Sequence, residues 1–492
     1  MCAWTSGLLV GAGVSGCQFA PPLRVPAVPA GPGYTAAPNL RTTSPEPEQQ
    51  NAPPHIYYGT ALSQPWWRLY RSAPLDAMVA QALRHSPTIA SAEAQLRAAR
   101  ANLQASAAVL YPQINLALGA SRTKNSGANF GGHLPGSTFS LYSGDVAVSY
   151  YPDFFGLNRL VYSGSRAQMN AQRAALAAAR LTLAGNVVDA VISISAADAE
   201  INATARLIAV QRRLLRLTEA QYLGGSLSYA SVLTAQAQLD DSEAQMPPLQ
   251  QELAAYRHLL AVLLGEAPSR LRVAAIALRE LSLPARIPLA VPSTLLRTRP
   301  DIRIAEEQMR YALTNIGIAK AQFYPLVTLT ASGGASALSA SKLFDASSTI
   351  WSIGGALAQP IFEGGRLRAQ ERGAYAAYDA TRAVYRSTVL AAFQQVADAL
   401  RAIEHDEAAA RVQDRLTRSL RAQISLAQAG YRSGATDFSA VLLSDIDYRT
   451  ALVNSARIKA ARLEDTVALF VALGDDGLPP RSRHPPFGTE KP

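Results

Sequence analysis

Four short segments of the chain alternate between apolar and small or polar side chains, the period of a β-strand with one face in an apolar environment. The first two are expected at about 110–121 and 139–151, on either side of a glycine-rich loop from Asn125 to Gly136, and the other two lie between Pro325 and Pro360. Their apolar positions are Ile114, Leu116, Leu118, Val146, Val148, Tyr150, Val327, Leu329, Trp351, Ile353 and Leu357. The small or polar positions between them are Asn115, Ser121, Ser149, Thr328, Thr330, Ser332, Ser352 and Gly354. Strands of about ten residues have the length that a membrane β-barrel requires.

Long segments without proline follow each pair of strands. A first helix is expected from about Leu75 to Ala108, and no proline then occurs from Asp153 to Met246 or from Ile361 to Leu478. These stretches exceed an ordinary globular helix, so each half of the chain predicts a long helical hairpin. A seven-residue apolar repeat along the first hairpin predicts a left-handed coiled-coil seam. Its positions are Val187, Ile194, Ile201, Ile208, Leu215 and Tyr222.

The two halves of the chain repeat one another at a spacing of about 210 residues, which predicts an internal duplication. Each half reads as helix, strand, strand, long helix and helix, and three landmarks recur in the same order. The matched pairs are Tyr111-Pro112 with Tyr324-Pro325, Tyr151-Pro152 with Gln359-Pro360, and the turn from Tyr222 to Gly225 with the turn from Tyr431 to Gly434.

Four alternating strands leave a physical problem, because four strands cannot close into a barrel and open sheet edges are not tolerated in lipid. A trimer would supply about 12 strands and leave no free edge. The alternative is a small, half-buried sheet covered by helices in a soluble protein. Alternation alone does not separate the two, whereas the duplication, the long hairpins and the N-terminus favour the barrel.

The N-terminus carries the pattern of a bacterial lipoprotein signal. A short apolar run from Leu8 to Val14 is followed by small residues and Cys17, whose thiol would carry a diacylglycerol after cleavage. No lysine or arginine precedes Cys17, which a start codon assigned too late would explain; a chance Gly-Cys is the alternative. Cys2 and Cys17 are the only cysteines, so no disulfide is expected in the mature chain. Eleven of the 30 prolines lie between Pro21 and Pro65, which predicts an extended leader.

Charge and composition exclude several classes of function. The net charge of +10 is spread over single arginines and forms no strip interleaved with aromatic residues, so nucleic-acid binding is not expected. No apolar run after the signal approaches 18 residues, which argues against a helical membrane protein. His405 has no partner histidine at metal-ligand spacing, and no P-loop or nucleophile elbow occurs. We therefore expect no enzyme activity, no metal and no cofactor.

Several short motifs, in a fixed order, give the chain a specific resemblance to a known family. They are Trp66-Trp67-Arg68, Pro74-Leu75-Asp76, Arg299-Pro300-Asp301-Ile302 with Ala305-Glu306, Ile316-Gly317-Ile318-Ala319, Pro360-Ile361-Phe362-Glu363-Gly364-Gly365 and Tyr431-Arg432-Ser433-Gly434. From about residue 56 to 474 the chain resembles the outer-membrane factor family of TolC- and OprM-like channels, and within it the lipidated, NodT-type branch. The resemblance implies an α+β membrane channel of the outer membrane: a homotrimer with a 12-stranded β-barrel, four strands from each chain, continuous with a long periplasmic α-helical barrel.

The expected organisation and partners follow from the same resemblance. The segments are a signal peptide at 1–16, a proline-rich leader at 17–65, a first repeat at 66–267, an equatorial linker at 268–292, a second repeat at 293–474 and a tail at 475–492. The implied function is passive conduction of drugs or other small molecules in a tripartite pump of the RND type. A periplasmic adaptor, an inner-membrane transporter and outer-membrane lipid are the implied partners.

Candidate site residues belong to four roles. Cys17 is the candidate lipid anchor, and Pro112, Pro152, Pro325 and Pro360 mark the candidate transitions between strands and helices. The turns at Tyr222, Gly225, Tyr431 and Gly434 are the candidate periplasmic tip, where the resemblance implies docking of the adaptor. The family often closes this tip with an aspartate, but the matching position here is Leu443. Either the closure is apolar, or Asp437 or Asp445 replaces the acid.

Two alternatives stay open at this point. Within the family, the chain would be the export duct of a type I protein secretion system; the lipoprotein signal favours small-molecule efflux. In a different class, it would be a periplasmic coiled-coil scaffold lipoprotein that forms no channel. That class predicts neither a membrane-embedded trimer nor a β-sheet signal from detergent-extracted protein.

Overall fold

A computed structural model of the chain describes residues 21–23, 26, 34, 55–58, 65–125, 137–272, 274–284, 286–289 and 292–474. The candidate anchor Cys17, most of the leader, the glycine-rich loop at 126–136 and the tail at 475–492 lie outside the described residues. The strands are β1 (His55–Tyr58), β2 (Gln113–Asn125), β3 (Ser137–Tyr150), β4 (Arg286–Leu289), β5 (Leu326–Ala337) and β6 (Thr349–Ala358). The α-helices are α1 (Ala73–His85), α2 (Pro87–Ala108), α3 (Leu157–Leu223), α4 (Tyr229–Ala244), α5 (Met246–Leu263), α6 (Pro292–Thr298), α7 (Pro300–Ala321), α8 (Arg366–Arg432) and α9 (Phe438–Leu473).

Strands β2, β3, β5 and β6 form one antiparallel sheet in that order. The register pairs Ile114 with Val148, Val148 with Ala331, and Ala331 with Ile353. Directly opposite residues in a sheet share a face, so the predicted apolar positions of all four strands lie on one side. The alternation seen in the sequence is therefore confirmed as one apolar and one polar face.

The ends of the first two strands differ from the prediction. β2 begins at Gln113 and continues to Asn125, and β3 runs from Ser137, so both extend further toward the loop than 110–121 and 139–151. Polar residues such as Arg122 and Lys124 hid this extension in the sequence. Their backbone still pairs with β3, because ladder hydrogen bonds do not depend on side-chain polarity.

The first predicted helix is two helices. α1 ends at His85 and α2 begins at Pro87, with Ser86 between them in an extended conformation at φ −65° and ψ 126°. A proline ring disfavours helical backbone in the residue before it, so Ser86 breaks the helix, while Pro87 fits the first turn of the next one.

The predicted helical hairpins are present, and both long helices have 67 residues. Four of the six seam residues of α3 are buried: Val187, Ile194, Ile208 and Leu215. Near the turn, Ile208 and Leu215 pack against α4 in one cluster with Val232, Ala235 and Leu239. The seam therefore joins the two arms of the hairpin, as the seven-residue repeat predicts.

The returning arms differ between the halves. In the first half the arm consists of α4 and α5, which adjoin at Gln245, and Pro247 and Pro248 lie in the first turn of α5. Prolines are tolerated there because the first amides of a helix have no partner within it. In the second half α9 runs for 36 residues without interruption.

One expectation about hydropathy needs correction. Helix α3 contains an 18-residue window with a mean hydropathy of 1.5 and few charged residues, although no apolar run of that length was expected. Of this window, 56% is buried inside the structure. The core helix of a soluble domain has the same properties, and here the apolar side chains pack against neighbouring helices.

The leader and the linker contribute to a second, small sheet. β1, from the leader range, pairs in parallel with β4, from the linker range, with His55 opposite Arg286. Strands of four residues are too short to show a readable alternation in the sequence, so this pairing was not predicted.

The chain forms two compact units, and each is built from segments of both halves of the chain. The first unit contains Gln95–Gln172 and Ile304–Tyr385, and so holds the four-stranded sheet. The second contains Arg173–Arg303 and the segment from Arg386 onward, together with Trp66–Tyr70 and α1.

Candidate functional site

The two helical turns of the candidate tip have the same backbone geometry. Gly225 and Gly434 both adopt left-handed backbone, at φ 74° and 76°. In the first turn the amides of Ser226 and Gly225 donate to the carbonyls of Gln221 and Tyr222; Ala435 and Gly434 repeat the pattern in the second turn. This Schellman arrangement satisfies the last carbonyls of α3 and α8, and glycine adopts it at little cost.

An aromatic pair crosses each turn. Tyr222 packs against Tyr229 with ring centroids 5.4 Å apart and planes at 50°, and Tyr431 packs against Phe438 at 5.2 Å and 51°. Both rings of each pair are still partly exposed, and Leu223 beside the first turn is 83% exposed. The structure therefore places an apolar, partly aromatic surface at both turns.

The three candidate closure residues have different surroundings. Asp437 is the N-cap of α9, where its carboxylate accepts from the amide of Ala440 at 3.0 Å. Hydrogen bonds from Ser439 and from the Ala440 amide lower the pKa of Asp437. Asp445 accepts from Arg449 Nε at 3.0 Å, and Leu443 is 49% exposed. Both aspartates thus have local partners, whereas Leu443 presents an apolar side chain.

The four candidate prolines lie at the boundaries between strands and their neighbours. Pro112 and Pro325 directly precede β2 and β5, while Pro152 and Pro360 come two residues after the ends of β3 and β6. After Pro152, the carboxylate of Asp153 accepts from the amides of Asn158 and Arg159 and so caps the start of α3.

The apolar face of the large sheet is exposed in the isolated chain. Ile114 is 70% exposed on β2 and Ile353 is 80% exposed on β6, and these two strands are the edges of the sheet. Apolar side chains on a continuous face of this kind mark a contact with lipid or protein.

Most side chains on the opposite face of the described strands are small or polar, and one of them is charged. Asp145 on β3 lies in a row with Ala117 on β2 and Gly334 on β5. Within the described parts of the four strands it is the only ionisable residue on that face. Gly334 has no room for a side chain, because a Cβ there would lie 2.1 Å from the Gly144 carbonyl oxygen.

Two of the family-like motifs, at Trp66–Arg68 with Asp76 and at Arg299–Asp301, make side-chain hydrogen bonds at helix ends in the second unit. Asp76 accepts hydrogen bonds from Trp67 Nε1 at 2.9 Å and from Arg68 Nε at 3.1 Å. Arg299 is buried, forms an ion pair with Asp301, and also donates to the carbonyl of Ala472. Both motifs therefore fix the ends of helices.

Two partly buried carboxyl groups in the second unit, Asp189 and Asp406, were not predicted. Asp189 on α3 has an oxygen with no hydrogen-bond partner among the described residues, and burial together with the charge of Glu464 raises its pKa to about 7. Burial and a hydrogen bond with Asp465 raise the pKa of Asp406 to about 6. The only sign of these two residues in the sequence is an acidic side chain within an otherwise apolar helical segment.

The described part of the chain contains no group of three or more histidine, cysteine, aspartate or glutamate side chains that could hold a metal ion.

Comparison with known proteins identifies the family to which the chain belongs. The sequence profile of the outer membrane efflux protein family matches residues 78–266 and 291–475. The chain is 30% identical over 415 residues, 84% of its own length and 88% of the relative's, to the pyoverdine export outer membrane protein OpmQ of Pseudomonas putida. It is 26% identical over 468 residues to the cation efflux system protein CusC of Escherichia coli, covering 94% of this chain and 96% of CusC.

Solved structures agree with the sequence relatives. The outer-membrane channel OprN superposes with a TM-score of 0.82 at 27% identity, covering 93% of this chain and 99% of OprN. The outer membrane protein VceC of Vibrio cholerae superposes with a TM-score of 0.74 at 26% identity, covering 83% of this chain and 98% of VceC. The chain with two long helical hairpins and one two-faced sheet therefore belongs to the outer membrane efflux protein family and is an outer-membrane channel component of a tripartite efflux pump.

Proposed function

We propose that three copies of the chain form one continuous duct, with a 12-stranded β-barrel in the outer membrane and an α-helical barrel below it. The observation that carries this proposal is the four-stranded sheet: one face is apolar, the other is mostly polar, and the outer edges of β2 and β6 have no neighbouring strand among the described residues. Open edges are not stable in lipid, and four strands are too few to close.

The strand directions are compatible with closure between copies. The four strands alternate in direction, so β6 of one copy would meet β2 of the next in antiparallel orientation. The polar face, with its serines and threonines, would then line a water-filled lumen, and the apolar face would contact lipid.

The two helical turns are the proposed docking surface for a periplasmic adaptor, which would connect the duct to an inner-membrane transporter. Their support is the exposed apolar surface at Leu223 and the aromatic pairs, repeated in both halves. An exposed apolar patch in a soluble segment is typical of a protein interface.

The duct is proposed to be passive and non-enzymatic, with small molecules as cargo. OpmQ is named for pyoverdine export and CusC for cation efflux, so relatives of similar likeness serve chemically different cargo. A conduit whose cargo is selected by its partners accounts for that difference. Cys17 is the proposed lipid anchor, with the barrel providing most of the membrane attachment.

For the closure at the tip we propose an apolar constriction at Leu443. Asp437 caps α9 and Asp445 forms an ion pair with Arg449, while Leu443 has an exposed apolar side chain in the second turn of α9. Apolar constrictions can close a pore by excluding water. Leu443→Ala should raise the single-channel conductance in planar bilayers. The control Asp437→Asn keeps the helix cap and should leave the conductance unchanged. If Leu443→Ala conducts like the parent, this position does not close the pore.

The decisive experiment measures mass and conductance of the detergent-purified chain. We expect the mass of three chains, a β-sheet signal in addition to the helical one, and discrete conductance steps in a planar bilayer. A protein that is monomeric and soluble without detergent would refute the duct.

Docking is tested separately by efflux in cells. Leu223→Ser should abolish complementation of a strain that lacks its own outer-membrane duct, while trimer amount in the outer membrane stays unchanged. The matched control is Phe344→Ser, an exposed apolar residue in the β5–β6 connection, which should keep full efflux. Loss of efflux in both variants to the same extent would argue against a specific tip interface.

A further inference from the structure

Two cations interrupt the apolar face of the large sheet near its loop end. On β2 the alternate residues Ile114, Leu116, Leu118 and Ala120 are followed on the same face by Arg122 and Lys124. Both cationic side chains are exposed. Within the described parts of the four strands they are the only charged side chains on this face.

The register confirms that these cations lie on the apolar side. Arg122 pairs with Ser140 and Lys124 with Thr138, two steps and four steps from Tyr142, which pairs with Ala120. The inward-facing positions of the same segment are Ser121 and Thr123. Arg122 and Lys124 therefore continue the lipid-facing row beyond its apolar part.

Distance along the strand fixes the depth at which they lie. From Ile114 to Lys124 is ten steps, or about 34 Å at ~3.4 Å per residue, and a strand tilt of about 40° reduces this to roughly 26 Å along the membrane normal. The apolar band of such barrels is about 25 Å tall. Lys124 thus lies at the rim of the band, and Arg122 lies just below it within reach of the rim.

The polarity of the strand assigns the rim to one side of the membrane. The other end of β2, at Gln113, adjoins α2, and β3 leads into α3, so the helices lie at the end opposite to Lys124. With the helices in the periplasm, the cations lie at the outer leaflet. Outward-facing cations at this level reach the interface, where anionic headgroups attract each of them by about 1 kcal/mol.

We propose that Arg122 and Lys124 form a binding site for the phosphate groups of outer-leaflet lipid headgroups, with the apolar row below them holding the acyl chains. The proposal rests on the proposed function, because it requires this face to meet lipid. Arginine offers a planar pair of donors to one phosphate, and lysine adds a point charge about two residues further out. Among the described residues neither side chain has an ion-pair partner within the chain.

The test compares lipid binding of matched variants. Trimers of the parent and of Arg122→Gln/Lys124→Gln are placed in phosphatidylcholine nanodiscs with and without lipid A, a doubly phosphorylated acylated disaccharide, and bound lipid A and unfolding temperature are measured. We expect lipid A to bind and stabilise the parent, and the double variant to bind it about five- to 25-fold more weakly, since each near-surface cation contributes about fivefold. The control Arg415→Gln/Arg418→Gln removes the same charge from exposed positions of α8 and should bind like the parent.

Further arms separate the sources of phosphate and the role of charge. Arg122→Lys keeps the cation and should retain most of the binding. Inorganic phosphate added to trimers in neutral detergent should neither bind nor stabilise; if it matched lipid A, the site would be a free-anion site and the lipid assignment would be wrong. Equal lipid A binding by parent and double variant, with both trimeric and conducting, would overturn the inference and leave the duct intact. Failure to form conducting trimers at all would overturn both.

Discussion

Arg299 donates a hydrogen bond of 2.5 Å through Nη1 to the carbonyl oxygen of Ala472, at the C-terminal end of α9. The same guanidinium forms an ion pair with Asp301 and donates to Gln395 Oε1 at 2.8 Å on α8. A single buried side chain thus holds the start of α7, the middle of α8 and the last turn of α9 together.

Replacing Arg299 with methionine should destabilise the protein by about 2–4 kcal/mol, because it leaves a buried carbonyl and Gln395 without a partner. Arg299→Lys should recover only part of this, since lysine keeps the positive charge but lacks the planar fork of donors that reaches separate acceptors. The measurement is denaturant unfolding of the detergent-purified protein, followed by helical circular dichroism. The control is Arg310→Met, which breaks the exposed ion pair with Glu306 and should lower the free energy of unfolding by less than about 1 kcal/mol. A similar loss of stability in both variants would mean that the contacts of Arg299 contribute no more than a surface ion pair.

Adjacent glycines of β5 provide a matched pair of substitutions. A Cβ at Gly334 would lie 2.1 Å from the Gly144 carbonyl oxygen and 2.6 Å from Asp145 Cα, whereas a Cβ at Gly333 meets nothing within 4 Å. Gly334→Ala should therefore force β3 and β5 apart and cost at least about 1–3 kcal/mol, with loss of heat-resistant trimer on gels. Gly333→Ala should be close to neutral. Normal assembly of Gly334→Ala would mean that the sheet is looser at this point than its geometry indicates.

The lone carboxylate of the polar face should influence ion selectivity. In a trimer, three copies of Asp145 would form one ring of negative charge in the barrel lumen. Asp145→Asn should lower the ratio of cation to anion permeability, measured as the reversal potential across a planar bilayer. The change should be clear near 10 mM salt, where the screening length is about 30 Å, and vanish near 1 M, where it is about 3 Å. Ser149→Asn, on the same face without a charge change, should have no effect at either concentration.

The partly buried carboxyl groups Asp189 and Asp406 predict a stability that falls as pH rises. The pKa of Asp189 is raised to about 7 in the folded chain from an ordinary value of 3.8, so the folded state keeps a proton that the unfolded state has lost. Stability from this group is complete below about pH 4 and is lost progressively as pH rises through 7. Asp406, with a pKa raised to about 6, acts in the same direction.

The groups around Asp189 are Glu464, Ser193 and Tyr70, and those around Asp406 are Asp465 and Arg462. Asp189→Asn imitates the protonated acid, so it should raise the unfolding temperature most at pH 8, less at pH 5 and little near pH 4. Asp198→Asn, which alters an exposed pair with Arg257, should not change the slope with pH. A parent whose unfolding temperature is flat from pH 5 to 8 would count against a neutral Asp189.

The sequence alone determined the periodic parts of this protein. Period-two alternation identified all four strands of the large sheet and their faces, and the seven-residue repeat identified the packed side of α3, because regular secondary structure projects side chains at fixed intervals. The glycines of the two turns, and their repeat about 210 residues apart, were also readable, since few other residues adopt left-handed backbone. The family resemblance rested on the same local motifs.

Only the tertiary structure decided which residues meet across long separations in the chain. Three contacts join residues that are distant in sequence: the pairing of β1 with β4, the hydrogen bond from Arg299 to Ala472, and the proximity of Asp189 to Glu464. No local period in the sequence encodes such contacts. The extension of β2 to Arg122 and Lys124 could not be predicted for a related reason. The strand continues there through backbone hydrogen bonds with β3, and the pattern of polar side chains carries no information about those bonds. Side-chain periodicity thus determined the elements, and the register between them determined which charges lie on the apolar face of the sheet and which on the polar face.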